Sequence, residues 1–331
     1  IAGQNTETED INLTREDEVI DRLKLDGNTD WVSIRSKYFT AAIISDVPGK
    51  FATLSAYNAQ FGSRKITPVY TAGIGYDANT EKIESRLYFG PLDLDYISKT
   101  NTTLDKTMNF GFTLIRPIGK GVLWILKFLH NTLRINYGVV LILFAVIVRI
   151  LTGPLTKKSF QSSQKMQKVQ PLVKKLQKQY KKDPQKMNQE VMALYREKGV
   201  NPLGGCLPML LQMPLLWALF VVFRSTIEFR GAGFMLWIND LSQPDIILNL
   251  PFHVPLYGAH IAVLPVLMGI SIFLTQRMSM ATMDPAQKPM MYIMNGFFIL
   301  LFNQFPSGLN LYYTMYNILN YFQQRSIRHA S

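Results

Sequence analysis

Residues 135–155 form an apolar run broken by one full charge, Arg149. A helix needs roughly 20 consecutive apolar residues to cross a hydrocarbon core, so this run is a predicted membrane span. Further apolar runs follow at residues 207–223, 258–276, 289–303 and 308–324. Together they predict five spans, and none of the five contains Asp or Glu. The last two are joined by Gln304-Phe305-Pro306-Ser307, a hairpin too short to be a domain. The fourth run, at 1.5 Å per residue, is roughly 23 Å long, short of a hydrocarbon core of roughly 30 Å. Local thinning of the bilayer is one way to accommodate it.

The rest of the chain is different in kind. The net charge is +12, but residues 1–106 carry more Asp and Glu than Lys and Arg. Most of the positive excess lies in residues 157–198. Residues 1–106 hold strand-like runs rich in β-branched and aromatic residues: Trp31-Val32-Ser33-Ile34, residues 38–44, residues 51–57 and residues 85–89. Turn signals at Asp26-Gly27-Asn28, Pro48-Gly49 and Gly90-Pro91 separate them. An antiparallel β-sandwich is the expected fold here. It has no His and only scattered acids, so it reads as a scaffold or binding domain. Cys206 is the single cysteine, which excludes an intrachain disulfide. Residues 1–5 show neither a basic start nor an apolar leader, and the chain is expected to begin inside a larger natural protein.

Between these parts, residues 111–130 are apolar but interrupted by Arg116, Pro117, Lys120 and Lys127. That pattern fits an amphipathic helix lying on the membrane surface. The expected division is therefore a β-domain over 1–106, an interfacial helix over 107–133 and a five-helix core over 134–331.

Lys and Arg in the loops set the orientation. The loop 157–198 includes Lys165, Lys168, Lys174, Lys175, Lys178, Lys181 and Lys182 and belongs in the cytoplasm. Alternation then places the β-domain outside and the C-terminus inside. Within that loop Met166, Val169, Val173, Leu176 and Tyr180 recur at helical spacing. Met187, Val191 and Leu194 repeat the pattern after Asp183-Pro184. Two short helices joined at Lys182-Asp183 are expected, as a hairpin with an apolar seam and a basic exterior. It is either a solvated topology signal or a docking arm for something anionic: lipid headgroups, ribosomal RNA or acidic nascent chains.

Arg149 has two readings. It snorkels to the cytoplasmic interface, roughly 10 Å away at 1.5 Å per residue, or it faces a water-filled cavity. With no intramembrane acid to pair with, the second is favoured. Gln212, Asn295, Asn303, Gln304, Tyr312, Tyr313 and Asn317 are the polar neighbours available to line such a pocket, and spacing leaves open which of them do.

The ordered motifs around these residues carry a resemblance. Val148-Arg149 is followed by Gly153-Pro154-Leu155-Thr156; Asn201-Pro202-Leu203-Gly204-Gly205-Cys206 precedes Leu211-Gln212-Met213-Pro214. Then come Leu236-Trp237-Ile238-Asn239-Asp240-Leu241, and Phe305-Pro306-Ser307-Gly308-Leu309 with Leu311-Tyr312-Tyr313 and Asn317. In this order they resemble the YidC/Oxa/Alb family of membrane protein insertases. Trp31-Val32, Lys37-Tyr38-Phe39 and Leu87-Tyr88-Phe89-Gly90-Pro91 are similar to the periplasmic β-domain of its Gram-negative members. In those members a first transmembrane helix and the start of that domain come earlier. Ala145 stands where some members have a hydroxyl residue, so the groove map is not carried over position by position.

The resemblance implies a membrane all-α core of five transmembrane helices with a cytoplasmic helical hairpin, behind a periplasmic all-β sandwich, in a bacterial inner membrane. It implies a membrane protein insertase and chaperone, working alone or with the Sec translocon. Its groove would be open to cytoplasm and lipid but closed outside, and would hold Arg149, Gln212, Asn303, Gln304, Tyr312, Tyr313 and Asn317. The lysines Lys165 to Lys182 would dock the ribosome. Other implied partners are nascent membrane proteins and membrane lipids, with no small-molecule substrate, cofactor or metal. No covalent chemistry is required, and no Walker-type loop ending in Lys-Ser or Lys-Thr is present. The alternative is a polar-groove transporter or channel. A proton- or ion-coupled transporter usually carries Asp, Glu or His mid-membrane, which this chain lacks.

Overall fold

The computed structural model describes residues 1–4, 7–11, 19–61, 65–108, 110, 115–200, 207–280 and 288–330. The motif 201–206, with Cys206, lies outside the described residues. The chain divides into two units, Ile1–Phe110 with Arg224–Ile227, and Gly111–Phe223 with Glu228–Ser331.

The first unit is built on one antiparallel sheet. Its strands are β1 (Ala2–Gln4), β2 (Glu7–Glu9), β3 (Val19–Arg35), β4 (Phe39–Phe61), β5 (Lys65–Gly75) and β6 (Ser85–Pro91). The order is β2-β1-β3-β4-β5, with β6 also on β4. The all-β character expected of this region is present, but two of the expected turns are not turns. Asp26-Gly27-Asn28 lies within β3 and Pro48-Gly49 within β4, and Thr29 pairs with Gly49 across the ladder. The register shifts on both sides of Thr29. Gly27 takes φ 143°, which a side chain would resist, and a Cβ on Gly49 would collide with Ile74. The glycines thus mark bulges that bend two long strands. At this bend β4 changes partner, from β6 along residues 39–45 to β5 along residues 51–61.

One face of the sheet packs around Ala2, Val32, Ala52 and Leu54. Trp31 is fully buried, and its indole Nε1 donates to Thr103 Oγ1 at 3.0 Å. Arg35 Nη1 donates to the Thr107 carbonyl at 3.0 Å, so the segment after the short helix α1 (Leu94–Ile97) is tied to β3. Burial lowers the Arg35 pKa, and Asp10 offsets part of that shift.

The second unit starts with α2 (Arg116–Leu133). Val122, Leu123 and Leu126 are buried along one stripe, while Trp124 and Phe128 are exposed and stack at 5.5 Å. Lys127 pairs with the buried Glu228 at 3.3 Å. Apolar and aromatic residues on both faces suit a helix at a membrane surface.

The predicted first span and the first arm of the basic hairpin are one helix, α3 (Tyr137–Gln179). The predicted span ends at residue 155, where the apolar run stops. The helix runs on through Pro154, with Thr152 Oγ1 donating to the Val148 carbonyl at 2.8 Å and Thr156 Oγ1 to the Thr152 carbonyl at 3.0 Å on the neighbouring turns. Its 43 residues make it roughly 65 Å long at 1.5 Å per residue, about twice a hydrocarbon core. Its C-terminal half pairs with α4 (Pro184–Glu197), whose N-cap Asp183 accepts from Lys186 N at 3.0 Å. Val169, Val173 and Val200 form the buried seam, with Met166, Val191, Leu194 and Tyr195 against them.

The remaining helices are α5 (Leu207–Ser225), α6 (Leu264–Met280), α7 (Lys288–Phe302) and α8 (Ser307–Ala330). α8 packs on both α3 and α6, and α7 packs on α6. The third predicted span begins later than expected. Residues 258–262 form strand β8 (Gly258–Ala262), which pairs with β7 (Ile246–Val254). The helix starts only at Leu264, with Pro265 in its first turn, where a missing N–H costs nothing.

Candidate functional site

The site is centred on Arg149, which α3 carries into the unit's interior at 6% exposure. Thr152 and Thr156 lie one and two turns further along the same face. Arg149 Nη1 donates to Thr156 Oγ1 at 3.3 Å and to the Tyr316 hydroxyl at 3.5 Å. The guanidinium also sits 5.6 Å from the centre of the Tyr316 ring. Its Nε and Nη2 are buried and meet no protein acceptor, and among the described residues no carboxylate pairs with it.

α8 supplies Tyr312, Tyr313 and Tyr316, all buried. The Tyr312 ring packs 5.6 Å from Phe144 of α3 and stacks 6.0 Å from Tyr316. The Tyr312 and Tyr313 hydroxyls lack a well-formed hydrogen bond. Gln212 of α5 reaches both hydroxyls, and its buried amide nitrogen likewise lacks a well-formed hydrogen bond. Polar groups of this kind are normally satisfied in a folded interior. Here several lie together around an arginine.

Of the sequence-predicted groove residues, Arg149, Gln212, Tyr312 and Tyr313 fall in this region. Asn303 and Gln304 do not join it. Asn303 Nδ2 donates to the Tyr257 and His260 carbonyls at 2.8 and 2.7 Å, and its Oδ1 accepts from Ala262 N at 3.0 Å. Gln304 Nε2 donates to the Leu256 carbonyl at 2.7 Å. Both therefore hold the β7–β8 hairpin, because an amide carries the donor and acceptor that a bent backbone needs. Asn295 Nδ2 ties α7 to the Gly269 carbonyl of α6 at 3.3 Å. Asn317 meets Thr275 through its backbone carbonyl, at 3.2 Å, and its side chain is half-buried. Lys165, Lys168, Lys175, Lys178, Lys181 and Lys182 are exposed and Lys174 is half-buried.

Sequence reasoning missed Tyr316 and Thr156 as partners of Arg149 and Thr152 as a partner of Tyr316, although the threonines' spacing at i+3 and i+7 from Arg149 was a usable signal. It also missed Asp245. This buried carboxylate accepts through Oδ2 from Trp237 Nε1 at 2.9 Å, Val263 N at 3.0 Å and Leu264 N at 2.8 Å, and so caps α6 from a distant loop.

Comparison with known proteins places this arrangement. Residues 128–331 match the family model described as 60Kd inner membrane protein, and residues 4–125 match the YidC periplasmic domain. The chain belongs to the YidC family of inner membrane proteins. The membrane protein insertase YidC of Chloroherpeton thalassium is 42% identical over 305 residues, covering 90% of this chain and 52% of that protein. That of Chlorobium limicola is 42% identical over 304 residues, covering 90% and 51%. The chain thus spans about half the length of the curated YidC relatives it matches. A crystal structure of an active YidC insertase with its first transmembrane domain resolved matches at a TM-score of 0.50 and 21% identity, covering 92% of this chain and 82% of that one. That likeness supports the YidC fold: a sheet-rich N-terminal region followed by a helical core.

Proposed function

We propose that this chain inserts and helps fold nascent membrane proteins, with Arg149 as the centre of a polar groove. The observation that supports this reading is a buried guanidinium with two unpaired nitrogens, near the buried and loosely bonded polar atoms of Gln212, Tyr312 and Tyr313. A charge or polar segment in bare lipid is costly, and hydrated protein groups part-way across reduce that cost. Arg149 would attract an acidic or polar tail, and the apolar segment behind it would pass sideways into lipid. The groove in this reading comprises Arg149, Gln212, Tyr312, Tyr313 and Asn317, with Thr152, Thr156 and Tyr316 positioning the arginine.

The basic hairpin of α3 and α4 lies in the cytoplasm and docks ribosomes or anionic lipid, and the β-domain lies in the periplasm, where it is available to the Sec translocon. Residues 1–106, 107–133 and 134–331 act as outer domain, interfacial helix and insertase core.

The test is insertion of a single-span substrate into liposomes holding the full chain. Arg149→Lys should retain more insertion than Arg149→Ala, because charge and not shape is the requirement. Equal and complete retention in both, across several substrates, removes the electrostatic role. Small-solute flux without insertion would favour a transporter or channel.

A further inference from the structure

The β7–β8 hairpin stands apart from the groove, and its surface is unusual for a ribbon in water. Ile246, Ile247 and Leu248 follow one another in β7, at a register shift, and are 46%, 55% and 55% exposed. Phe252 is 61% and Leu256 55% exposed. This two-stranded sheet is therefore broadly apolar and open, where a ribbon in water keeps one face polar. From residue 246 to residue 276 the sequence contains no Asp, Glu, Lys or Arg.

Its position is fixed. Asn303 and Gln304, in the turn between α7 and α8, grip its backbone at Leu256, Tyr257, His260 and Ala262. Leu256 adopts φ 68°, rare for a branched side chain, while Gln304 holds its carbonyl. β8 ends at Ala262, and α6 begins at Leu264. The ribbon is thus continuous with the ends of three apolar helices. Pro251 and Pro255 also remove two backbone donors from the hairpin. That economy matters wherever water is scarce, because an open sheet edge is excluded from the hydrocarbon interior itself.

We propose that the β7–β8 hairpin is a membrane anchor. Its occupant is the lipid bilayer, and its apolar surface sits in the boundary between headgroups and acyl chains at the outer end of α6, α7 and α8. Seated there, it fixes the outer side of the core against the bilayer. The inference rests on the membrane placement of the core and not on insertase activity.

Spin labels test it on the full chain in vesicles of phosphatidylethanolamine and phosphatidylglycerol. Cys206→Ser provides the background, and single cysteines replace Phe252, Leu256, Ile270 of α6 and Lys181 of the basic hairpin. The reading is the ratio of collisions with oxygen to collisions with a water-soluble nickel chelate. Labels at positions 252 and 256 should give a ratio well above that at 181 and approaching that at 270. If they match 181 while 270 reads lipid, the anchor is overturned and the membrane core stands. If 270 also reads water, membrane placement fails and the anchor fails with it. If positions 252 and 256 lose chelate contact only when a substrate polypeptide is stalled on the protein, the surface binds polypeptide and the lipid assignment is wrong.

Discussion

Two polar clusters are buried in the helical unit, and they are built on opposite terms. Around Asp245, Asn303, Ser307 and Asn310, side chains bond mostly to backbone. Asp245 Oδ2 takes three donors, Asn303 makes three bonds, Ser307 Oγ donates to the Asp240 carbonyl at 2.9 Å, and Asn310 Nδ2 reaches the Phe302 carbonyl at 3.1 Å. Around Arg149 the contacts run between side chains, at 3.3 to 3.5 Å, and most polar atoms stay unpaired. The first cluster spends its polarity on fixing loops and helix starts. The second keeps its polarity available. Asp245 Oδ1 and Asn310 Oδ1 are also buried without a partner, but the first cluster's many bonds to backbone rigidify it, whereas long contacts between side chains in the same environment contribute little to stability. Stability measurements should therefore separate the two clusters, and activity measurements should separate them in the opposite sense.

The largest stability effect is expected at Asp245. Hydrogen bonds to a charged group contribute about 1.5–3 kcal/mol each, and removing the carboxylate strands two buried N–H groups at the start of α6. Asp245→Ala should cost about 4 kcal/mol, read as unfolding in detergent micelles, with Asp245→Asn costing less because an acceptor oxygen remains. Next is Asn303→Ala. Three hydrogen bonds at the modest values found in membrane proteins, about 0.6 kcal/mol each, give a loss of about 2 kcal/mol. If neither variant unfolds more readily than an Arg149 variant, the contrast between the clusters is wrong.

Asn303 also shows what the sequence could and could not reveal. The apolar helices and the helical hairpin were legible because they follow from periodicity and charge. Arg149 was legible because one charge in an apolar run has few explanations. Asn303 and Gln304 were read as groove residues because they are polar and end a span. Their real partners belong to a ribbon that was itself read as part of a helix. Residues 258–262 carry no charge and fit either structure, so only Pro251, Pro255 and Gly258 spoke against a helix beginning there. Similarly, the first apolar run stops at residue 155, and hydropathy alone does not show that the helix itself continues to Gln179. In the β-domain, Gly27 and Gly49 read as turns, because a glycine that bends a strand and one that reverses it have the same letter.

Arg149→Met should behave unlike Asp245→Ala. Replacing an incompletely paired buried charge by an apolar side chain of similar volume is often neutral or stabilising, so unfolding should stay within about 1 kcal/mol of the parent or become harder. Insertion in liposomes should nevertheless fall. A loss of several kcal/mol on this substitution would instead mean that Arg149 is a structural strut.

The smallest effect is expected at the Tyr316 hydroxyl. At 3.5 Å from Arg149 Nη1 and 3.4 Å from Thr152 Oγ1, it lies at the long limit for both partners. Tyr316→Phe keeps the ring below the guanidinium, where the cation–π contact is centred, and should change stability by less than about 0.5 kcal/mol. Tyr316→Leu removes the ring and should lower insertion more than Tyr316→Phe while Arg149 is present. In an Arg149→Met background the two should become equal, since a residue that acts by holding the arginine has nothing left to hold. If the Phe–Leu difference persists without Arg149, Tyr316 acts by its own packing against Tyr312, and the positioning role belongs to Thr156 alone.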